Sequence, residues 1–274
     1  MLKLMYITNS PDIARIAEHY GVDRIWIDLE TLGKEERQPG NTVKSNHTID
    51  DIRKVKPVLN NSELLVRVNP WNENSEEEIE AVIEAGADII MLPMWRDTDT
   101  VRKFLQTING RCKTTLLLET KDAENCLDEV LKQGGFDEIH IGLNDLHIEY
   151  GMTFMFELLA NGVVDRIIDK IKKYDLPYGF GGVGKIGDGL LKADNIVAEH
   201  YRLGSTRVIL SRAFCNASEI KDLSEVEDIF KKNICNLRNY EMEMLGKDKA
   251  FFEQNKLEIK KSVDIIIQAM NERK

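Results

Sequence analysis

Short runs rich in branched apolar residues alternate with longer amphipathic stretches from the first residues to about Phe214. Eight such runs fall at residues 2–7, 24–29, 64–69, 88–93, 114–119, 138–143, 178–182 and 206–211. Several are continuously apolar rather than alternating, the pattern of parallel strands covered on both faces. The stretches between them carry helix punctuation. Ser10-Pro11 supplies an N-cap and a proline at the first helical position, and Gly21 ends that helix. Ser75 with Glu78 reads as a capping box ahead of Ile79, Val82 and Ile83, and Gly86 closes the helix. Eight strand–helix repeats predict an α/β fold, a closed (β/α)8 TIM barrel, with an open doubly wound sheet as its rival.

After Phe214 the strands stop. Leu223, Val226, Ile229, Phe230, Ile234 and Leu237 follow helical spacing, as do Phe251, Ile259, Val263, Ile266 and Met270. One helix completes the barrel and the other is an additional C-terminal helix. No Pro/Gly/Ser-rich linker divides the chain, so residues 1–274 are read as one domain with a C-terminal helical region at about 223–274. The surplus helix is expected either to pack on its own barrel or to dock on a neighbouring subunit of a homo-oligomer.

Composition narrows the partners. With 42% hydrophobic residues the 274-residue chain can bury a large core, and its net charge is −10. No Lys/Arg cluster interleaves with aromatics, so nucleic acid and anionic membrane surfaces are poor partners. The opening residues are too soon interrupted by charge for a signal peptide or spanning helix, which makes the cytoplasm the expected location. Cys112, Cys126, Cys215 and Cys235 form no CxxC pair and have no histidine at ligand spacing, so reduced thiols are expected.

In a (β/α)8 barrel the chemistry lies where strands end. Those positions hold Asp28 and Glu30 after strand two, Arg67 and Asn69 after strand three, and Glu119 after strand five. Asn144 and Asp145 follow strand six, and Ser211 and Arg212 follow strand eight. Glu119 and Asp145 stand one β–α unit apart, which brings them to neighbouring strand ends. Two carboxylates there hold either each other's cationic partners or a hard divalent ion, Mg2+ or Mn2+ rather than zinc. Arg67 offers a planar double donor to an oxyanion, or else pairs with Asp28 or Glu30. His47, ahead of a helix opening near Thr48, is a candidate general base or a solvated loop residue. His140, inside a strand, reads as core, and His147 reads as either site or surface. The run Gly179–Lys185 satisfies GxxxxGK on paper. Ile186 stands where a phosphate loop needs a hydroxyl, so these glycines are read as letting backbone approach a small ligand.

The strand-end segments resemble the HpcH/HpaI aldolase and citrate lyase family of the phosphoenolpyruvate/pyruvate superfamily. The likeness rests on Ile27-Asp28-Leu29-Glu30, Val66-Arg67-Val68-Asn69-Pro70, Leu118-Glu119-Thr120, Gly142-Leu143-Asn144-Asp145-Leu146 and Leu203-Gly204-Ser205-Thr206-Arg207. It implies a divalent metal held by Glu119 and Asp145, and Arg67 on an enolate oxygen. It also implies a pyruvate-type 2-oxo acid whose carboxylate meets the backbone at Gly142, Leu143 and Asn144. The reaction implied is class II aldolase chemistry, reversible cleavage of a 4-hydroxy-2-oxo acid to pyruvate and an aldehyde. A citramalyl- or malyl-CoA-type lyase and a non-catalytic 2-oxo-acid-binding or assembly barrel are the alternatives. The family's histidine soon after strand two is missing, since Thr31 follows Glu30. The base is therefore His47, a metal-bound hydroxide, or Glu30 through water. The stretch Gly33–Gln38 resembles a branch linked to surface-polysaccharide sugars, which suggests a sugar-derived aldehyde.

Overall fold

The structure is a computed structural model describing residues 1–37 and 46–272. Eight parallel strands close into a barrel in sequence order. They are β1 (Lys3–Ile7), β2 (Arg24–Asp28), β3 (Glu63–Arg67), β4 (Ile89–Leu92), β5 (Lys113–Leu118), β6 (Glu138–Ile141), β7 (Tyr178–Val183) and β8 (Arg207–Leu210). The ring closes through β1 and β8, with Leu4 opposite Val208 and Tyr6 opposite Leu210. The closed (β/α)8 barrel expected from the pattern is the observed fold, and the open sheet is excluded.

Strand residues alternate between two environments, as the period of two requires. One set meets the surrounding helices in the main core, for example Leu4, Ile25, Ile27, Leu64 and Val66. The other fills the barrel, where Met5, Trp26, Leu65, Ile89, Met91 and Leu117 form an apolar plug. Toward the strand starts, buried charges neutralise one another: Arg24 bonds Glu63 at 2.9 Å and Glu138 at 3.1 Å, and Arg207 lies 2.8 Å from Glu138. The opposite end, where strands finish, is left for chemistry.

Two local expectations change. Ser75 is inside its helix (Ser75–Ala85) rather than capping it, because Asn74 holds the cap position. The Ser75 hydroxyl accepts from the Asn72 amide instead, and Glu78 turns to the Asn69 side chain at 2.8 Å. The apolar run at 138–143 also divides: β6 stops at Ile141, and Leu143 already opens a helix (Leu143–Glu149). Asn144 and Asp145 therefore ride on a first helical turn. Of the β7 glycines, Gly181 and Gly182 line the strand-end cavity, while Gly179 is required by packing within the sheet. A Cβ on Gly179 would stand 2.4 Å from the Arg207 carbonyl oxygen, and Gly181 has φ +50 where the β7–β8 register shifts.

The tail forms two long helices, Leu223–Leu245 and Lys249–Asn271. Both pack on their own barrel. Glu241, fully buried, accepts from the Leu2 amide at 2.6 Å, from Arg238 at 2.6 Å and from the Tyr201 hydroxyl at 3.1 Å. Asn255 bonds Glu199 at 3.0 Å, and Lys256 reaches Asp165 at 2.8 Å. Among the described residues no helix is long and apolar enough to cross a membrane.

Candidate active site

A cavity of about 670 Å3 opens at the strand-end mouth of the barrel. Its lining includes Asp28, Glu30, Arg67, Glu119, Gly142, Leu143, Asn144, Asp145 and His47, all singled out from the sequence, and also Lys34. The last was missed because it lies beyond any strand end, on the short helix Lys34–Arg37.

Asp28, the last residue of β2, is nearly inaccessible and holds two cations. Arg67 grips it with Nε at 2.8 Å and Nη2 at 2.9 Å, and Lys34 Nζ stands 3.0 Å away. Burial alone would raise its pKa, but the Arg67 guanidinium and the Lys34 ammonium outweigh burial and hold the carboxyl far below the usual range. It stays ionised as a fixed anchor. Glu30 takes Arg37 Nη2 at 2.6 Å and Arg67 Nη2 at 3.1 Å. Arg67, which also lies over the Trp26 ring, thus satisfies both pairings considered for it. Its described contacts use Nε and Nη2, which leaves Nη1 for a substrate oxygen.

Glu119 follows β5 and is buried. The Met94 amide donates to its Oε1 at 3.2 Å, from a residue held at φ +53. Its Oε2 lies against Gly142, where a Cβ would come within 2.8 Å, so only glycine leaves room for the carboxylate. Burial, and then the Asp145 charge, push the Glu119 pKa well above the ordinary carboxylate value despite Arg67. Asp145 lies 3.5 Å from Arg37 Nε. Two neighbouring buried acids repel each other, and a hard divalent ion suits their oxygens. The donor set therefore fits such an ion, with water and substrate oxygens completing the shell. Among the described residues no group of three or more His, Cys, Asp or Glu is gathered for a metal.

His47 is half-buried, and its Nδ1 accepts from the Asp28 amide at 3.0 Å. Burial, reinforced by Lys34, lowers its pKa against the raising influence of Asp28 and Asp51. The ring is neutral with its proton on Nε2, a donor toward the cavity. Thr31, in the place of the family's histidine, is tied down elsewhere: its amide and hydroxyl bond Asn69 Oδ1 at 2.9 and 3.3 Å. The Gly142 amide donates to the Leu118 carbonyl at 2.9 Å, and the amides of Leu143 and Asn144 open the helix, where first-turn N–H groups have no intrahelical acceptor. His140 is core at the cavity floor. His147 bonds the Leu143 carbonyl of its own helix at 3.2 Å and is not among the lining residues.

A parallel (β/α)8 barrel with paired buried acids and a guanidinium at its strand-end mouth is an enzyme scaffold. Residues 3–156, more than half of the chain, match the HpcH/HpaI aldolase/citrate lyase family, and the chain belongs to that family. No curated protein matches it. Among solved structures it is similar to an HpcH/HpaI aldolase from Desulfitobacterium hafniense DCB-2, at 14% identity and TM-score 0.60, over 86% of this chain and 93% of that one. An HpcH/HpaI aldolase/citrate lyase family protein from Burkholderia cenocepacia J2315 aligns at 15% identity and TM-score 0.60, over 82% and 94%. Macrophomate synthase aligns at 14% identity and TM-score 0.56, over 77% of each chain. At these identities the structural likenesses concern the fold alone.

Proposed function

We propose that the chain is a divalent-metal-dependent class II aldolase, reversibly joining pyruvate to an aldehyde. The observation that carries the reading is Glu119: a buried carboxylate beside Asp145, with the Arg67 guanidinium close enough to lower its pKa. Glu119 and Asp145 would hold the ion, Mg2+ or Mn2+, whose chemistry when bound is Lewis-acid stabilisation of an enolate oxygen.

Cleavage of a 4-hydroxy-2-oxo acid removes the 4-hydroxyl proton and breaks the C3–C4 bond. The bond's electron pair passes to C3 and C2, so negative charge collects on the C2 oxygen, and the aldehyde departs. Arg67 meets that charge through Nη1 while Asp28 locks the rest of the guanidinium, a preorganised donor whose effect grows as charge develops. The first-turn amides of Leu143 and Asn144 receive the pyruvate carboxylate. Glu30 takes the hydroxyl proton through water. His47, its Nδ1 committed to the Asp28 amide, presents Nε2–H to the departing aldehyde oxygen. Protonation at C3 then yields pyruvate.

Pyruvate fills a minor part of the cavity. The rest is bounded at the β1 and β8 ends by a polar arc of Thr8, Asn9, Ser10, Ser211, Asn216 and Ser218, set among apolar residues such as Ile7, Ile13, Leu210 and Ala217. That polar arc supports a hydroxyl-bearing, sugar-derived aldehyde. Pyruvate release from a panel of 4-hydroxy-2-oxo acids, with and without EDTA, tests the proposal. Turnover is expected to vanish with the chelator and to favour polyhydroxylated substrates; metal-independent turnover refutes it. A chain that binds neither metal nor pyruvate would instead be a non-catalytic barrel.

A further inference from the structure

We propose that Arg37 is a resident competitor at the metal centre, so that loading the ion displaces its guanidinium from Asp145. The inference rests on the metal reading of Glu119 and Asp145 above and adds a built-in rival for the same charge. Arg37 is brought into the mouth by dedicated local structure. Gly33 has φ +68, which favours glycine at this turn, and Arg37 Nη1 lies 2.9 Å from where its Cβ would stand. The same Nη1 donates to the Leu32 carbonyl at 3.2 Å, and the Leu32 amide is pinned to Asn69 Oδ1 at 3.1 Å.

The two acids that Arg37 meets are held unequally. Nη2 bonds Glu30 at 2.6 Å, whereas Nε lies 3.5 Å from Asp145 Oδ1. The second distance gives ion-pair attraction without a hydrogen bond, and Nε is buried with no hydrogen-bond partner among the described residues. Arg37 is thus anchored on Glu30 and only leans on Asp145. Withdrawing from Asp145 breaks no formed bond of Nε. Remaining there beside a divalent ion would set like charges together where water is scarce and the effective dielectric is low. The arrangement offsets part of the Glu119–Asp145 repulsion before the ion arrives, and it weakens binding of the ion by the same interaction.

The test is Mn2+ titration of the full chain, read by calorimetry and by loss of the free-ion electron paramagnetic resonance signal. Wild type, Arg37→Ala, Arg37→Gln and Glu119→Gln are compared. Arg37→Ala is expected to bind Mn2+ at least about tenfold more tightly than wild type, a difference of roughly 1.4 kcal/mol. Arg37→Gln keeps a hydrogen-bond donor near Glu30 and removes only the charge, so it shows the same tightening even where Arg37→Ala folds poorly. Glu119→Gln is expected to lose binding. Equal or weaker Mn2+ affinity in a folded charge-neutral variant overturns the competitor role and leaves the metal site standing. Failure of wild type and both Arg37 variants to bind Mn2+, or binding that survives Glu119→Gln, removes the metal reading and this proposal with it.

Discussion

Replacing His140 with glutamine should make the protein markedly less sensitive to acid. His140 projects from β6 into the barrel beneath the cavity and is completely buried. Its Nε2 lies 3.2 Å from the Gly181 carbonyl, and its Nδ1 has no partner among the described residues. Burial lowers its pKa from the ordinary 6.5 to about 4. As pH falls, the unfolded chain therefore takes up the proton before the folded one does. The stability tied to this group is complete above about pH 6.5 and is lost progressively down to about pH 4. At 1.36 kcal/mol per pKa unit the full loss is about 3 kcal/mol, of which about 2 kcal/mol is gone by about pH 5. His200, stacked on Phe180 at 3.8 Å, is also held well below its ordinary value by burial and acts in the same sense. The comparison must therefore be wild type against variant rather than one pH against another. Urea unfolding near pH 7.5 and near pH 5 supplies it, with a constant m-value confirming that the same transition is compared. Glutamine can still donate to the Gly181 carbonyl, and it does not titrate. Its loss on acidification should be smaller by about 2 kcal/mol, whatever its stability at the higher pH. Equal losses in both proteins would show that the buried imidazole does not behave as its surroundings dictate.

Arg67→Ala should lower kcat at least about a hundredfold in the pyruvate-release assay, because the oxyanion donor acts mainly in the transition state. A rise in KM alone would reduce Arg67 to substrate placement. Glu119→Gln should stabilise the metal-free protein by about 1 kcal/mol near neutral pH, a trade between stability and function. Since burial and then the Asp145 charge raise the folded carboxyl's pKa, its stability penalty grows as pH rises, so the variant's advantage should be larger at pH 8 than at pH 5 in thermal melts; a constant offset contradicts the raised pKa. Glu241→Ala should cost about 3 kcal/mol in urea unfolding, because it strands the Leu2 amide, Arg238 and the Tyr201 hydroxyl at one buried point. A loss below about 1 kcal/mol would show that the long C-terminal helix is held by apolar contacts alone.

The barrel was legible because its strands are buried on both faces and its helices are punctuated by Ser10, Gly86 and their like. Local signals of that kind survive in one dimension. The strand ends were legible for the same reason, which is why Asp28, Arg67, Glu119 and Asp145 could be selected before their positions were known. What periodicity could not show is competition for a shared partner. Ser75 satisfies the usual cap pattern, yet Asn74 takes the cap and Glu78 is drawn to Asn69. Met94 has no polar side chain, yet its backbone amide, set by a positive φ, holds Glu119. Backbone donors leave no mark on residue type. Lys34 and Arg37 carry no such signal: their segment has no strand pattern, and Gly33–Gln38 stands out only as a resemblance to one branch of the family.

That segment changes how the mouth is understood. Lys34 and Arg37 are three positions apart on one helical turn, so they share a face and descend together on the acids below. Four carboxylates, Asp28, Glu30, Glu119 and Asp145, then meet Lys34, Arg37 and Arg67. The first two acids are closely matched by these cations, with contacts of 2.6–3.1 Å. Glu119 differs from them: burial and the Asp145 charge push its pKa well above the carboxylate range even with Arg67 beside it. A uniformly neutralised cluster would be an ordinary structural ion network, and its acids would all titrate low. Here Asp28 is held low and Glu119 high, with Arg67 spanning the two. The Asp28 side fixes Arg67 in place, and the repulsion between Glu119 and Asp145 favours a cation that binds both.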